Sequence, residues 1–75
     1  MLNMLMEPIA TLTSREAQVL NLVAQGSSAK EVALILDMAP RTVEKHLDHI
    51  RLKMRAKNRA HMVAKAIASG LLPNI

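Results

Sequence analysis

The fold of this chain is decided by residues 40–55, which read Pro40-Arg-Thr-Val-Glu-Lys-His-Leu-Asp-His-Ile-Arg-Leu-Lys-Met-Arg55. Four apolar residues recur there at steps of four, three and four, namely Val43, Leu47, Ile50 and Met54. At roughly 100° per residue they fall in one narrow stripe along a helix. Pro40 suits the first helical position, where its missing N–H costs nothing. The pattern therefore predicts an amphipathic helix over 40–55.

The face opposite this stripe is densely charged. It carries Arg41, Glu44, Lys45, Asp48, Arg51 and Arg55, with Leu52 among them, while one flank carries Thr42, His46, His49 and Lys53. A helix anchored by its apolar back, with cations and hydrogen-bonding groups at its front, fits the major groove of duplex DNA. An ordinary solvated helix face would show the same pattern. Other features of the chain are therefore needed to distinguish a DNA-binding face from a solvated one.

Charge is polarised along the 75-residue chain, whose net charge is +4. Residues 41–65 hold eight basic and two acidic side chains, giving +6, and the rest holds two basic and four acidic ones, giving −2. A basic half on a neutral-to-acidic support is typical of a surface that binds a polyanion.

Composition excludes several other classes of protein. The length allows one domain, and the hydrophobic fraction of 51% is enough for a packed core. Without cysteine there are no disulfides or thiolate zinc sites, and a cytoplasmic setting is expected. Without Phe, Tyr or Trp there is no stacking platform for single-stranded nucleic acid. No apolar run is long enough to span a membrane, and the first eleven residues do not form a signal peptide.

Two capping signals precede the decisive helix. Thr13 with Glu16 predicts a helix over 14–25 ended by Gly26, and Ser28 with Glu31 predicts a second over 29–36. The expected buried residues of these two helices are Val19, Leu20, Val23, Val32, Ile35 and Leu36. A three-residue connection then leads into the helix at 40, which makes a helix-turn-helix.

A fourth helix is predicted over 59–69, capped by Asn58 and ended by Gly70. Its core-facing residues are expected to be Ala60, Val63, Ala64 and Ile67. Met62 and Ala66 begin a second apolar strip, which with Lys65 and Ser69 suggests an interface with another copy. The alternative is that Met62 and Ala66 merely flank the core stripe. The domain then occupies 12–72, with tails at 1–11 and 73–75.

Five fragments in register carry a family resemblance: Leu12-Thr-Ser-Arg-Glu16, Gly26, Ser28-Ala-Lys-Glu-Val-Ala33, Arg41-Thr-Val-Glu-Lys-His46 and Asn58-Arg-Ala60. Together they resemble the LuxR-type (GerE-like) DNA-binding domain over residues 11–72. The sigma-factor region that reads the −35 promoter element shares the opening and the Thr-Val step, but lacks the matching fourth helix.

The resemblance implies an all-α, four-helix domain of the winged-helix-like superfamily without a wing. It is the output domain of bacterial transcription regulators, of response-regulator or quorum-sensing type or standing alone, located in the cytoplasm at the nucleoid. The third helix would enter the major groove of operator DNA, the fourth would form a homodimer on that DNA, and RNA polymerase would be a further partner.

The same resemblance assigns residues to the DNA. The base-reading positions fall on Glu44, Lys45 and Asp48, and the basic stretch adds Arg41. Positions that meet the DNA backbone fall on Lys30, Thr42, His46 and Lys53, and the basic stretch adds Arg55, Lys57 and Arg59. Glu16 occupies a structural acidic position, for which its capping role is sufficient reason.

Four departures from the family pattern are visible. Ala29 replaces the usual Asn, Asp37 the usual Gly, Ala39 the Ser or Thr that caps the recognition helix, and His61 an acidic residue in the cap of the fourth helix. Glu44 and Asp48 are also unusual, because a carboxylate near phosphates is repelled unless it accepts a hydrogen bond from a base amino group such as cytosine N4.

Two other classes of function compete with sequence-specific DNA binding. The first is an interaction module that keeps the fold, dimerises with a regulator and binds DNA weakly, which Glu44 and Asp48 would favour. The second is an enzyme or metal protein, for which His46, His49 and Asp48 offer at most an incomplete ligand set. No nucleophile–base pair or phosphate loop is recognisable, so neither enzymatic activity nor a cofactor is expected.

Overall fold

The computed structural model describes residues 12–72, which form four α-helices. They are α1 (Ser14–Ala24), α2 (Ala29–Leu36), α3 (Pro40–Lys53) and α4 (Arg59–Ala68). The described part of the chain contains no strand. The predicted all-α, four-helix class is therefore confirmed. The tails predicted at 1–11 and 73–75 lie outside the described residues.

Two capping boxes fix the starts of α1 and α2. The Glu16 N–H donates to Thr13 Oγ1 at 3.0 Å, and the Thr13 N–H donates back to Glu16 Oε1 at 2.9 Å. Ser28 and Glu31 repeat this exchange at 3.1 and 2.8 Å. Each box satisfies two backbone groups that a helix terminus leaves without partners, as the sequence predicted.

The starts of α3 and α4 differ from this pattern. Ala39 precedes α3 without a side-chain hydrogen bond, as its methyl group requires, and Pro40 follows at the first helical position. Asn58 caps α4 by accepting the His61 N–H at 2.8 Å. His61 Nδ1 in turn accepts the Lys57 N–H at 2.9 Å. The imidazole thus accepts the N–H of the residue before the cap, whereas the acidic residue of a capping box would accept the N–H of the cap itself.

All four helices end in the same left-handed turn. In each case the residue in the left-handed region is followed by one whose N–H donates to a carbonyl five residues earlier, which is the Schellman motif. The four left-handed residues are Gly26 (φ 105°), Asp37 (φ 54°), Arg55 (φ 55°) and Gly70 (φ 84°). Only two of them are glycines, so the ends of α2 and α3 use side-chain-bearing residues in a conformation that disfavours them.

The core lies where α3 crosses the other helices, and α3 contacts each of them. Its stripe is buried as predicted. The buried apolar residues are Val19, Leu20, Val32, Ala33, Val43, Leu47, Ile50, Met54, Ala56, Met62, Ala66 and Leu72. Val23 and Leu36 are half-buried and pack against this cluster. Within residues 12–72, no helix combines the length and apolar character needed to cross a membrane.

Two expectations about core-facing residues are wrong. Ile35 is 57% exposed, because α2 turns Val32 and Ala33 toward the core instead. In α4 the buried residues are Met62 and Ala66, while Ala60 and Ala64, expected inside, are exposed. The large Met62 side chain fills the space beneath α4, which rotates the two small alanines outward.

Candidate nucleic-acid interface

The outward face of α3 is the candidate site. Because the stripe on its back is buried, the residues half a turn away must face solvent, and five of them are exposed: Arg41, Lys45, Asp48, His49 and Leu52. At about 100° per residue these side chains share one face of the helix. Three of the four predicted base readers therefore lie together on this face, and the fourth, Glu44, lies at its edge toward α4.

Glu44 is paired across to α4. The Arg59 guanidinium donates from Nη2 to Glu44 Oε1 at 3.1 Å, and the two side chains are 46% and 56% exposed. An exposed pair of this kind contributes little to stability, roughly 0–1 kcal/mol. It does neutralise the carboxylate nearest the start of α3. It also means that Arg59, predicted to meet the DNA backbone, is engaged by Glu44.

Lys53 and Glu16 form a second ion pair that the sequence did not predict. Lys53 Nζ lies 2.7 Å from Glu16 Oε1, the oxygen that also accepts the Thr13 N–H. Glu16 is the buried charged residue among residues 12–72, with a side chain only 7% exposed, and Lys53 is 31% exposed. Lys53, expected to meet the DNA backbone, thus joins the end of α3 to the start of α1. Capping alone is not the whole role of Glu16.

The pKa of Glu16 reflects this environment. Burial by itself would raise the pKa of the carboxyl group. The hydrogen bond from Lys53, the Thr13 N–H, the positive charge of Lys53 and the Thr13 hydroxyl together outweigh burial and hold the pKa of Glu16 below its ordinary value. The carboxylate therefore stays ionised in its nearly dry position.

The remaining predicted DNA-backbone residues are distributed around α3. Thr42 and Lys30 are exposed, Lys30 in the first turn of α2, and His46 is half-buried on the flank that faces α1 and α2. Arg55 and Lys57 are exposed in the turn between α3 and α4. The predicted basic surface thus extends from α2 across α3 to the start of α4.

A shallow cleft of about 250 Å³ separates α3 from the start of α4. Its rim mixes two carboxylates, Glu44 and Asp48, with three cations, Arg51, Lys57 and Arg59. Arg51 also donates to the carbonyl of Ala56 at 3.4 Å, which ties the end of α3 to the following turn. The net charge of the cleft is therefore close to neutral, and most of the positive charge of the candidate interface lies outside the cleft.

The predicted dimer residues on α4 require a correction. Met62 and Ala66 are 1% and 0% exposed and belong to the core of the single chain, so they form no surface strip. Lys65 is half-buried and donates to the Arg55 carbonyl at 3.4 Å, and Ser69 donates to the Ala66 carbonyl at 3.2 Å. The alternative reading, in which Met62 and Ala66 belong with the core, describes them better.

The exposed side of α4 is a different set of residues, of which the sequence analysis had placed Ala60, Ala64 and Ile67 inside. Ala60, Ala64 and Ala68 follow one another at four-residue spacing and are exposed. Half-buried Ile67 and exposed Leu71 lie beside them. None of these five side chains carries a charge. The sequence does contain a pattern that marks this side, because Ala60, Ala64 and Ala68 form an uncharged row at the spacing of one helical turn.

Metal binding finds no support in the described residues. Across 12–72, no group of three or more His, Cys, Asp or Glu side chains converges as a metal ion requires. His46 and His49 lie one turn apart on α3, one half-buried and the other exposed, and no third such side chain converges with them.

Comparison with known proteins gives a consistent result. The model of the family described as GerE, bacterial regulatory proteins, luxR family, matches residues 10–66. The transcriptional regulatory protein FixJ of Rhizobium meliloti (strain 1021) is 44% identical over 66 residues, which are 88% of this chain and 32% of FixJ. The transcriptional activator protein SolR of Ralstonia solanacearum is 42% identical over 66 residues, 88% of this chain and 28% of SolR.

A solved structure shares the architecture. The crystal structure of the phage VqmA–DPO complex superposes with a TM-score of 0.80 at 32% identity, covering 97% of this chain and 34% of that one. The chain thus spans about a third or less of the length of these relatives. The similarity is confined to one domain of each longer protein.

Proposed function

The chain belongs to the luxR family of bacterial regulatory proteins as a helix-turn-helix domain, and from this premise we propose that it binds specific duplex DNA with α3 in the major groove. On this proposal it is the output domain of a transcription regulator, acts in the cytoplasm at the nucleoid and meets RNA polymerase on the promoter.

One observation carries the proposal: α3 is held by its back and open at its front. Its apolar stripe is buried against the other helices, and Arg41 and Lys45 project from the exposed face. A helix of this kind fits the major groove, whose width admits one α-helix. The excess of +6 on residues 41–65 supplies attraction to the phosphates.

Base reading is assigned to the front of α3 by donor and acceptor chemistry. Lys45 and Arg41 can donate to guanine O6 and N7, and ionised Asp48 can accept only from an amino group such as cytosine N4. Beside guanine or thymine, which present no amino group in the major groove, Asp48 would be desolvated without a hydrogen bond, so it discriminates even where it adds little affinity. A guanine and a neighbouring cytosine on the opposite strand would offer acceptors to Lys45 and an amino donor to Asp48.

The Arg59–Glu44 ion pair weakens the competing proposal. An interaction module that binds DNA poorly was favoured by two carboxylates on the DNA face, and one of these is compensated by a guanidinium at 3.1 Å. Arg59 thereby removes much of the repulsion between Glu44 and phosphates. Lys30 and Thr42, both exposed on the flank, add potential backbone contacts.

Dimerisation is assigned to the outward side of α4. The alanine row of Ala60, Ala64 and Ala68 lets two helices approach closely, and Ile67 and Leu71 add apolar area at its edge. Such a strip is smaller than the interface a stable dimer normally needs, so DNA must supply the rest of the binding free energy. Half-sites about one helical turn apart follow from this geometry.

Selection of bound duplexes from a random pool tests the proposal directly. We expect a two-fold symmetric site, with binding that weakens steeply as salt rises. For roughly three to four phosphate contacts per protomer, the log–log slope of a dimer should be about −5 to −7. Recovery of no preferred duplex, together with no measurable binding at low salt, would reject DNA binding and favour the interaction module.

Ala64→Glu tests the dimer surface. It should weaken cooperative binding to the full site while leaving binding to a single half-site almost unchanged. Ala17→Glu is the matched control, because Ala17 is an exposed alanine of α1 and the change in net charge is identical. Equal losses on full and half sites, or the same effect from Ala17→Glu, would refute the assignment of α4.

A further inference from the structure

Leu52 is the unexplained residue on the exposed face of α3. It is 63% exposed, although leucine is normally buried. Four large aliphatic side chains are exposed within residues 12–72, and the other three, Leu34, Ile35 and Leu71, lie on α2 or after α4. Leu52 alone among them lies on α3. Single exposed leucines are common on protein surfaces, so its position must carry the argument.

Leu52 lies on the same face of α3 as the proposed base readers Lys45 and Asp48. Lys45, Asp48 and His49 precede it by seven, four and three residues, and all four side chains are exposed on one face of α3. Homeodomains read the major groove with four residues of one helix at these same intervals. Every other member of the set at this face is charged or can form hydrogen bonds. Leu52 can do neither.

Resting on the DNA binding proposed above, we propose that Leu52 reads the 5-methyl group of a thymine. This methyl is the one apolar group that base pairs present in the major groove. Packing Leu52 against it removes apolar surface of both partners from water. Against guanine O6 and N7, adenine N7 or cytosine N4, the leucine would desolvate polar atoms without replacing their hydrogen bonds. Leu52 is thus a specificity-determining residue that selects T by attraction and disfavours the other bases.

The register of this contact follows from helix geometry. Leu52 lies seven residues beyond Lys45, which is about 10 Å along the helix axis. Successive bases of one strand rise about 3.4 Å along the duplex, so the thymine should lie about two to four base pairs from the base read by Lys45. Each half-site of a two-fold symmetric operator should contain one such thymine.

Removal of a single methyl group tests the contact. In the duplex selected by the protein, each thymine of one half-site is replaced in turn by deoxyuridine, which lacks only the 5-methyl group. We expect one replacement to weaken binding by about fourfold, which is the contribution of one buried carbon. Leu52→Ala should bind the thymine and uracil duplexes equally, and should bind the thymine duplex at least fourfold more weakly than the unaltered protein.

Ile35→Ala is the matched control, because it deletes three carbons from another exposed aliphatic side chain, on α2 and outside the exposed face of α3. It should keep the fourfold difference between thymine and uracil. If Leu52→Ala keeps the same thymine-to-uracil ratio at every position as the unaltered protein, the proposal is refuted while DNA binding stands. If no duplex is bound at all, DNA binding itself has failed, and the assignment of Leu52 fails with it.

Discussion

Replacement of Lys53 by methionine should lower the free energy of unfolding by about 2 kcal/mol. Methionine keeps the length and most of the aliphatic stem of lysine, so the change removes mainly the ammonium group. What remains is the Glu16 carboxylate, 7% exposed, without the partner that lies 2.7 Å from its Oε1. The size of this loss tests whether the Lys53–Glu16 pair stabilises the packing of α1 on α3 or contributes as little as an exposed ion pair.

Two limits bracket the expected cost. Removal of one partner from a fully buried ion pair costs about 3–5 kcal/mol, while an exposed pair contributes roughly 0.2–1 kcal/mol. Lys53 is 31% exposed, and Glu16 keeps the Thr13 N–H as a donor, so the cost should fall between these limits. For a domain of this size, about 2 kcal/mol corresponds to a fall in Tm of about 8–16 °C.

Urea denaturation of single and double variants is the assay. Glu44→Gln is the matched control, because it breaks the Arg59–Glu44 pair, whose side chains are 46% and 56% exposed, and it should cost less than about 1 kcal/mol. Combining Lys53→Met with Glu16→Gln should reveal a coupling energy above about 1 kcal/mol. A Lys53→Met variant as stable as the control, or a coupling energy near zero, would refute the reasoning.

Four further substitutions test Glu16 and three helix ends. Because the pKa of Glu16 is lowered in the folded state, the unfolded chain takes up a proton first on acidification. The contribution of ionised Glu16 to the free energy of unfolding is fully present above the ordinary pKa of 4.5, and it is lost as the pH falls through the lower pKa of the folded state. Glu16→Gln should therefore flatten the fall in the free energy of unfolding as the pH drops below 4.5, measured by urea denaturation. Asp37→Gly should raise the Tm, because glycine adopts the φ of 54° without strain, and the free energy of unfolding should rise by roughly 0.5–1 kcal/mol. Gly26→Ala should lower the free energy of unfolding by about 1 kcal/mol. That cost comes from the φ of 105° alone, since an added Cβ meets no atom within 4 Å. Ala39→Ser should supply the missing cap of α3 and raise stability by about 1 kcal/mol, and an unchanged urea midpoint would show that this helix start needs no cap.

Local rules made much of the fold predictable. A capping box needs only residues three apart, so the starts of α1 and α2 could be read from Thr13 and Ser28 with their glutamates. The stripe of α3 could be read because its apolar residues are confined to one side and charges fill the other. The sequence thus predicted the face of α3 that is buried and the face that is exposed.

The orientation of α4 could not be read in the same way. Apolar residues surround most of this helix, so no single stripe dominates the pattern, and side-chain size decided the matter when Met62 entered the core. The end of α2 was misread for a related reason, since its eight residues include too few polar ones to fix a face. The two ion pairs join residues 37 and 15 positions apart, and such pairs depend on helix packing rather than on local spacing.

The division of α3 into a buried back and an open front has a consequence for how a family of this kind diversifies. Substitutions at Val43 or Ile50 disturb fully buried side chains of the helix that contacts all three others, and so they are removed by their cost in stability. Substitutions at Lys45, Asp48 or Leu52 alter side chains that support no other part of the chain's core. If α3 reads DNA as proposed, new operator sequences are accessible through single changes that leave folding untouched. Two duplicated copies of such a domain can then diverge in target preference without passing through an unstable intermediate.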